Sequence, residues 1–205
     1  MAKFKFLFVI LFLNVLFVST SFAQSVVSSS TYIKTCIDKA ECSSISNSSY
    51  LFYDQSKAAL YLKLDFNKFR TGEDSVDYWL DDLKETNLYF KVDFPQENFT
   101  GLTNHQHKTY KLNGQVYLNG IWHHQSIDIT IYSSENSIAS NTNSGQNIYD
   151  NYKINTSFNI LPKDFKINKK PHHLKKIIFV GIALGRINQL LPEQQGILGE
   201  AYNHH

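Results

Sequence analysis

The chain has only four prolines and nine glycines in 205 residues, too few for a collagen-like or proline-rich linker architecture. With two cysteines it is no disulfide-stapled scaffold. Cys36 and Cys42 lie in CIDKAEC, and no second ligand pair follows them as a zinc site requires. In an oxidising compartment they allow one small disulfide loop; otherwise they are two separate thiols in an irregular arm. The chain also lacks the G-x-S-x-G elbow, the P-loop, G-x-G-x-x-G and H-E-x-x-H. The expectation is a protein that is not an enzyme and uses no cofactor. After residue 23 no apolar run is long enough to span a bilayer as a helix.

An excess of one charge is missing too. Lys3 and Lys5, an apolar run from Phe6 to Val18 and then Ser21-Phe22-Ala23 follow the order of a secretory signal peptide. Cleavage near Ala23 is expected, giving a periplasmic or secreted product. Without Lys3 and Lys5, 18 basic residues face 18 acidic ones. Nucleic-acid binders carry a basic surplus, so no nucleic acid is expected as a partner. The remaining chain, about 180 residues, suits one domain with a sizeable core.

What the chain does have is aromatic residues, 15 Phe and 12 Tyr, and repeated alternation. In TYKLNGQVYLNGIWHHQSIDITIY, residues 109–132, Tyr110, Leu112, Gly114, Val116 and Leu118 share one face. Ile127, Ile129 and Ile131 resume the pattern after Asn119-Gly120. Alternation reads as strands with one buried face, and Asn-Gly between such runs is a hairpin turn with φ > 0 at both central residues. Gly114, inside its strand, is read as a bulge or bend. Residues 50–53 and 58–66 form a further strand pair around Asp54-Gln55-Ser56-Lys57, with Leu60, Leu62, Leu64 and Phe66 on one side. Leu88, Phe90, Val92 and Phe94 alternate until Pro95, which lacks a ladder donor. Tyr152–Ile160 and Lys175–Leu184 complete the set.

One stretch breaks the pattern. Val76, Trp79, Leu80 and Leu83 are spaced as one stripe of a short amphipathic helix, with acids in its first turn. The fold expected is all-β: an antiparallel up-and-down barrel of about eight strands with one short helix, because closure removes the sheet edges. A two-sheet sandwich is the second choice. The divisions read from the sequence are a signal peptide (1–23), an N-terminal arm with one short strand (24–49), the barrel (50–188) and a tail (189–205). Residues 133–150, polar and rich in Asn and Ser, are read as a mobile loop.

The order of these landmarks resembles the YceI-like family of exported barrels. KLNGQVYLNGI (111–121) is similar to that family's glycine-strand-glycine hairpin, and TSFNILPKDFKI (156–167) to its "fxi…dfxi" strand. The helix with Asp77 and Leu83 and the aromatic strand after it also match. Where the family often has a threonine and a basic residue after the second glycine, this chain has Trp122-His123-His124. The resemblance implies a lipocalin-like barrel whose interior holds an apolar, isoprenoid-like lipid. The inward candidates are Leu62, Leu64, Phe66, Trp79, Phe90, Phe94, Leu112, Val116, Ile129, Phe158 and Val180; the alternative is that they simply fill a core and the protein works through its surface loops.

Two polar groups stand apart. His105, His107 and His123 suggest a metal-binding alternative, although no carboxylate accompanies them between 105 and 120. Six lysines between 163 and 176 make a basic segment suited to an anionic head group, or to solvent alone.

Overall fold

The computed structural model describes residues 26–37, 40–70, 74–83, 85–102, 106–133, 149, 151–167, 174–191, 196 and 198; side chains at 34–37, 40–46, 48, 76, 80 and 174–179 lie outside that description. Eight strands follow one another: β1 (Ser29–Ile37), β2 (Ala40–Asp54), β3 (Ala59–Asp65), β4 (Asn87–Asp93), β5 (His107–Leu118), β6 (Ile121–Ser133), β7 (Tyr152–Ile160) and β8 (Leu174–Gln189). Each pairs antiparallel with the next and β8 returns to β1, so the sheet closes as an up-and-down barrel. Beyond β1 the end of β8 runs parallel to β2, where Leu51 pairs with Ile187 and Tyr53 with Gln189. The one α-helix among the described residues, α1 (Asp74–Asp81), follows β3 and a short 3-10 turn (Phe66–Lys68).

Alternation sets the inside and outside. Leu60, Leu62 and Leu64 on β3, and Leu88, Phe90 and Val92 on β4, enter one buried cluster. It also takes Val116 and Leu118 from β5, Ile127, Ile129 and Ile131 from β6, Ile154 and Phe158 from β7 and Val180 from β8. The β5–β6 ladder is continuous from His107/Tyr132 to Leu118/Ile121. Its turn has φ of 51° at Asn119 and 78° at Gly120, the left-handed pair that Asn-Gly tolerates.

Gly114 corrects one expectation. The β5–β6 ladder runs through it without a register shift, so it marks no bulge there; the β4–β5 ladder ends at its pair with Val92. A Cβ there would lie 2.5 Å from Phe90 Cε2 and 3.1 Å from the Lys91 carbonyl oxygen. The glycine makes room for the phenyl ring of its cross-strand neighbour.

The N-terminal segment also differs. Residues 24–49, expected as an arm with one short strand, supply all of β1 and the first part of β2. Apart from Ile33, which enters the core cluster, their described inward positions, Ser29, Thr31 and Ser49, are small and polar. Thr31 Oγ1 donates to Ser49 Oγ, which donates to the Ser29 carbonyl at 2.6 Å. Ser29 Oγ in turn accepts from Arg186 N–H at 2.9 Å. Hydrogen bonds, not apolar packing, satisfy this seam.

Both ends of the described chain fold back on the outer wall. Phe52, Ala59, Tyr61 and Leu198 form a second buried cluster, with Val26, Tyr50 and Leu190 against it. Asn188 joins the pieces: Oδ1 accepts from Val27 N–H at 2.8 Å, and Nδ2 donates to the carbonyls of Val27 and Leu51 at 2.9 and 3.0 Å. Gln189, read from the sequence as the start of the tail, still belongs to β8, and Leu190 and Leu198 beyond it pack against β2 and β3. Among the described residues no helix is long and apolar enough to cross a membrane. The signal-peptide reading and most of the 133–150 loop fall outside the described residues, but Tyr149 within that loop is buried in the core.

Candidate binding site in the barrel bore

An eight-stranded barrel has a bore just wide enough for side chains to fill or for one small ligand. Ten of the inward candidates, Leu62, Leu64, Phe66, Trp79, Phe90, Phe94, Val116, Ile129, Phe158 and Val180, belong to the single core cluster; Leu112 is partly buried against it. The structure brings these residues together around one axis.

The bore has three levels. In its middle, the rings of Phe90 on β4 and Phe158 on β7 stack with centroids 5.8 Å apart. Three strand steps separate β4 from β7 one way and five the other, so these rings meet across the bore.

At the end where β2 meets β3, an aromatic plug closes the barrel. Phe99 contacts Tyr53, Phe94, Tyr149 and Tyr152 at centroid distances of 5.0–5.2 Å. Tyr53 Oη donates to the Phe94 carbonyl at 2.9 Å and Tyr110 Oη to the Asn98 carbonyl at 3.0 Å. Burial drives the Tyr149 hydroxyl well above the ordinary phenol range, with smaller contributions from Tyr53 and Tyr152. Burial raises Tyr53 and Tyr152 as well. These phenols are neutral fixtures of the plug.

At the opposite end α1 lies over the opening. Its indole, Trp79, is buried, and Leu83 packs against the same core cluster. Arg70 bonds Asp81 at 3.2 Å, which ties the preceding segment to the helix. The β6–β7 ladder stops at Asp128/Ser157, short of the Asn119-Gly120 turn. A 3-10 turn (Pro162–Phe165) occupies that side and touches β6 and β8. It is held by Asn119 Nδ2 donating to the Phe165 carbonyl at 2.9 Å and by His123 Nε2, 3.8 Å from Asp164 Oδ2.

Two buried donors in this half find no partner among the described residues: Trp79 Nε1 and Gln125 Nε2. Gln125 lies on the face of β6 that carries Ile127, Ile129 and Ile131. A buried donor left unmet costs about 1–3 kcal/mol, so these are the polar points of an otherwise apolar interior.

Sequence reading missed the residues that close the barrel: Phe69, Phe99, Tyr149 and Phe165 are all buried. Each sits in a turn or a polar segment with no alternation around it. The histidine set does not assemble. His107 pairs with Tyr132 and His123 with Val116 along one ladder, which places them about 30 Å apart at about 3.4 Å per residue. His105 falls outside the described residues. Among those described, no three His, Cys, Asp or Glu side chains converge. Of the basic segment, Lys163 and Lys166 are exposed beside the 3-10 turn, and the other four lysine side chains lie outside the description. Backbone pairing sets Cys36 against Glu41 and Thr35 against Cys42; the cysteine side chains also lie outside it.

No protein-family model matches the chain, nor does any curated protein. Fourteen chains of solved structures do match. A polyisoprenoid binding domain from Saccharophagus degradans, implicated in plant cell wall breakdown, superposes with a TM-score of 0.56 at 11% identity over 76% of this chain and 90% of that one. BcnA of Burkholderia cenocepacia gives a TM-score of 0.50 at 11% identity, over 75% and 93%. A Campylobacter jejuni YCEI protein reaches 18% identity over 70% and 81%, with a TM-score of 0.40. At these identities the likeness is one of fold. The barrel that this chain shares with the Saccharophagus domain and BcnA is the lipocalin-like fold that the resemblance to YceI-like proteins implied.

Proposed function

We propose that this chain is a YceI-like protein, exported to the periplasm or beyond, that holds an apolar, isoprenoid-like lipid in its barrel and catalyses nothing. The observation that carries the proposal is the inner face: the described strands contribute apolar side chains to one continuous cluster, on a fold shared with a polyisoprenoid binding domain. A mostly apolar site with few polar groups is how proteins hold such molecules. The lipid's tail takes the place of core contacts along the bore. Its polar end meets Trp79 Nε1 and Gln125 Nε2, whose unmet donors suit an oxygen acceptor. Entry is beside α1 and the Pro162–Phe165 turn, where the β6–β7 ladder has ended.

One observation favours a second reading. The Phe90–Phe158 stack and the Phe99 plug already occupy much of the bore, as expected of a filled barrel that acts through its surface. Native mass spectrometry of the purified protein, with organic extraction of the same sample, separates the two. A discrete added mass recovered as a lipid supports the carrier. A bare mass that persists after incubation with long prenols rejects it and leaves the filled barrel.

A further inference from the structure

The outer wall carries a second site, independent of what the bore contains. Tyr32 on β1 pairs with Gly181 on β8, Gly181 with Ser157 on β7, and Ser157 with Asp128 on β6. This row runs from an aromatic ring, over two of the smallest residues, to a carboxylate. Neighbouring strands lie about 4.8 Å apart, so the glycine and serine form the floor of a trough two strands wide. A Cβ on Gly181 would meet Tyr32 Oη at 2.5 Å and Cε2 at 2.7 Å. The ring therefore lies down into the trough, and glycine is what lets it do so.

Irregular backbone builds the neighbouring wall. The β7–β8 register shifts between Ile154 and Thr156, and Leu184 adopts a left-handed φ of 50°. Bulges and left-handed non-glycine residues concentrate at functional sites. Here they fix Asn155, whose Oδ1 accepts from Leu184 N–H at 2.5 Å while Nδ2 donates to Tyr132 Oη at 3.2 Å. Thr130 pairs with Asn155 on the β6 side. Tyr32, Asp128, Thr130, Asn155 and Ser157, with Thr156, Ile182 and Ala183, line an open cavity of about 170 Å³. A volume near 150 Å³ takes one six-membered ring, so the space fits a single ring and not a lipid chain.

The chemistry selects the ring. Among the described residues Asp128 is the one carboxylate lining the cavity, and a lone carboxylate cannot build an oxygen cage for a hard cation. Lys111 stands opposite it in the ladder, which disfavours an ammonium guest. Hydroxyl groups suit the site better. They donate short, charge-assisted bonds to a carboxylate; the Ser157 hydroxyl both donates and accepts, and that of Thr130, already bonded to Thr109 Oγ1 at 2.9 Å, keeps an acceptor lone pair. The aromatic face of Tyr32 offers an apolar platform with a polar tip. We infer that this groove binds a neutral sugar ring, free or as the terminal unit of a longer glycan.

The test is a titration of the isotope-labelled full chain with methyl glycosides of glucose, galactose, mannose and xylose, and with their short oligomers, followed by backbone NMR shifts. At least one sugar should move the signals of Ser157, Gly181 and Asn155 while those of Phe90 and Val116 stay still. Asp128→Asn, a shape-conserving change at an exposed position, should weaken that binding about tenfold or more, and Tyr32→Leu should weaken it as well. Equal affinity for monomer and oligomer identifies a free sugar; tighter oligomer binding identifies a glycan end. The inference is overturned if no saccharide moves these signals, if Asp128→Asn binds as well as the unaltered chain, or if choline chloride moves them and sugars do not.

Discussion

Single side chains in this barrel carry more than apolar area. Asn188 is buried and makes three hydrogen bonds to backbone groups of β2 and of the segment before β1. Asn188→Ala would leave those groups without partners at a seam that water does not reach freely. A loss of about 3 kcal/mol is expected, at about 1–3 kcal/mol for a buried group left unmet, read as a lower denaturant midpoint with an unchanged slope. The tyrosines set the response to alkali. Desolvation, then nearby acids, pushes Tyr61 up to about 12; desolvation, then a bond to Glu85, takes Tyr117 to about 12. Unfolded phenols titrate near 10. Between about pH 10 and 12 the unfolded chain thus sheds protons that the folded chain keeps, and stability falls as pH rises. Below that window the contribution is fully present. Tyrosinate absorbance and circular dichroism should change together there; phenols that all titrate near 10 in an intact fold would contradict the assignment.

At the scale of elements, glycine separates packing from backbone geometry on one hairpin. Gly114→Ala pushes a methyl group into Phe90 Cε2 and Ile127 Cδ1, at 2.5 and 3.2 Å, and overpacking of this kind costs about 1–3 kcal/mol. Gly120→Ala meets nothing within 4 Å but sits at φ 78°, so its cost, about 1 kcal/mol, comes from the backbone alone. Relief should differ accordingly: Phe90→Leu should recover part of the loss in Gly114→Ala and none in Gly120→Ala, as a double-mutant cycle will measure. The same hairpin shows why so much of the barrel was legible. Where the inner face is apolar and the outer polar, as from Leu88 to Phe94 or Ile127 to Ile131, alternation fixes both the strand and its orientation. It fails where the inward residues are polar. Ser29, Thr31 and Ser49 satisfy one another and the backbone, and Ile33 alone among the described inward residues of β1 is apolar, too little to make a hydrophobic period. The wall of the bore could therefore be read from the sequence, while its closures could not: Phe99, Phe165 and Tyr149 are lone aromatics whose burial depends on where distant strands end.

For the whole molecule the decisive quantity is what fills the middle of the bore. Phe90 and Phe158 are buried, and their rings meet from strands three steps apart. Gly114 gives Phe90 its place, so Phe158 is the partner to remove without disturbing that close approach. In a barrel filled by its own side chains, Phe158→Ala leaves a void across the bore and should cost about 3–5 kcal/mol. In a barrel that takes a lipid, the same change widens the channel; the bare protein loses stability while the loaded one regains it, since a ligand that binds only the folded state stabilises by mass action. The measurement is a pair of thermal scans on each protein, with and without a saturating long prenol. Recovery larger in Phe158→Ala than in the unaltered chain means that the rings gate a lipid channel. A mutant that stays destabilised, with no shift in either protein, means that the rings are the core itself, and the molecule's business is on its outer wall.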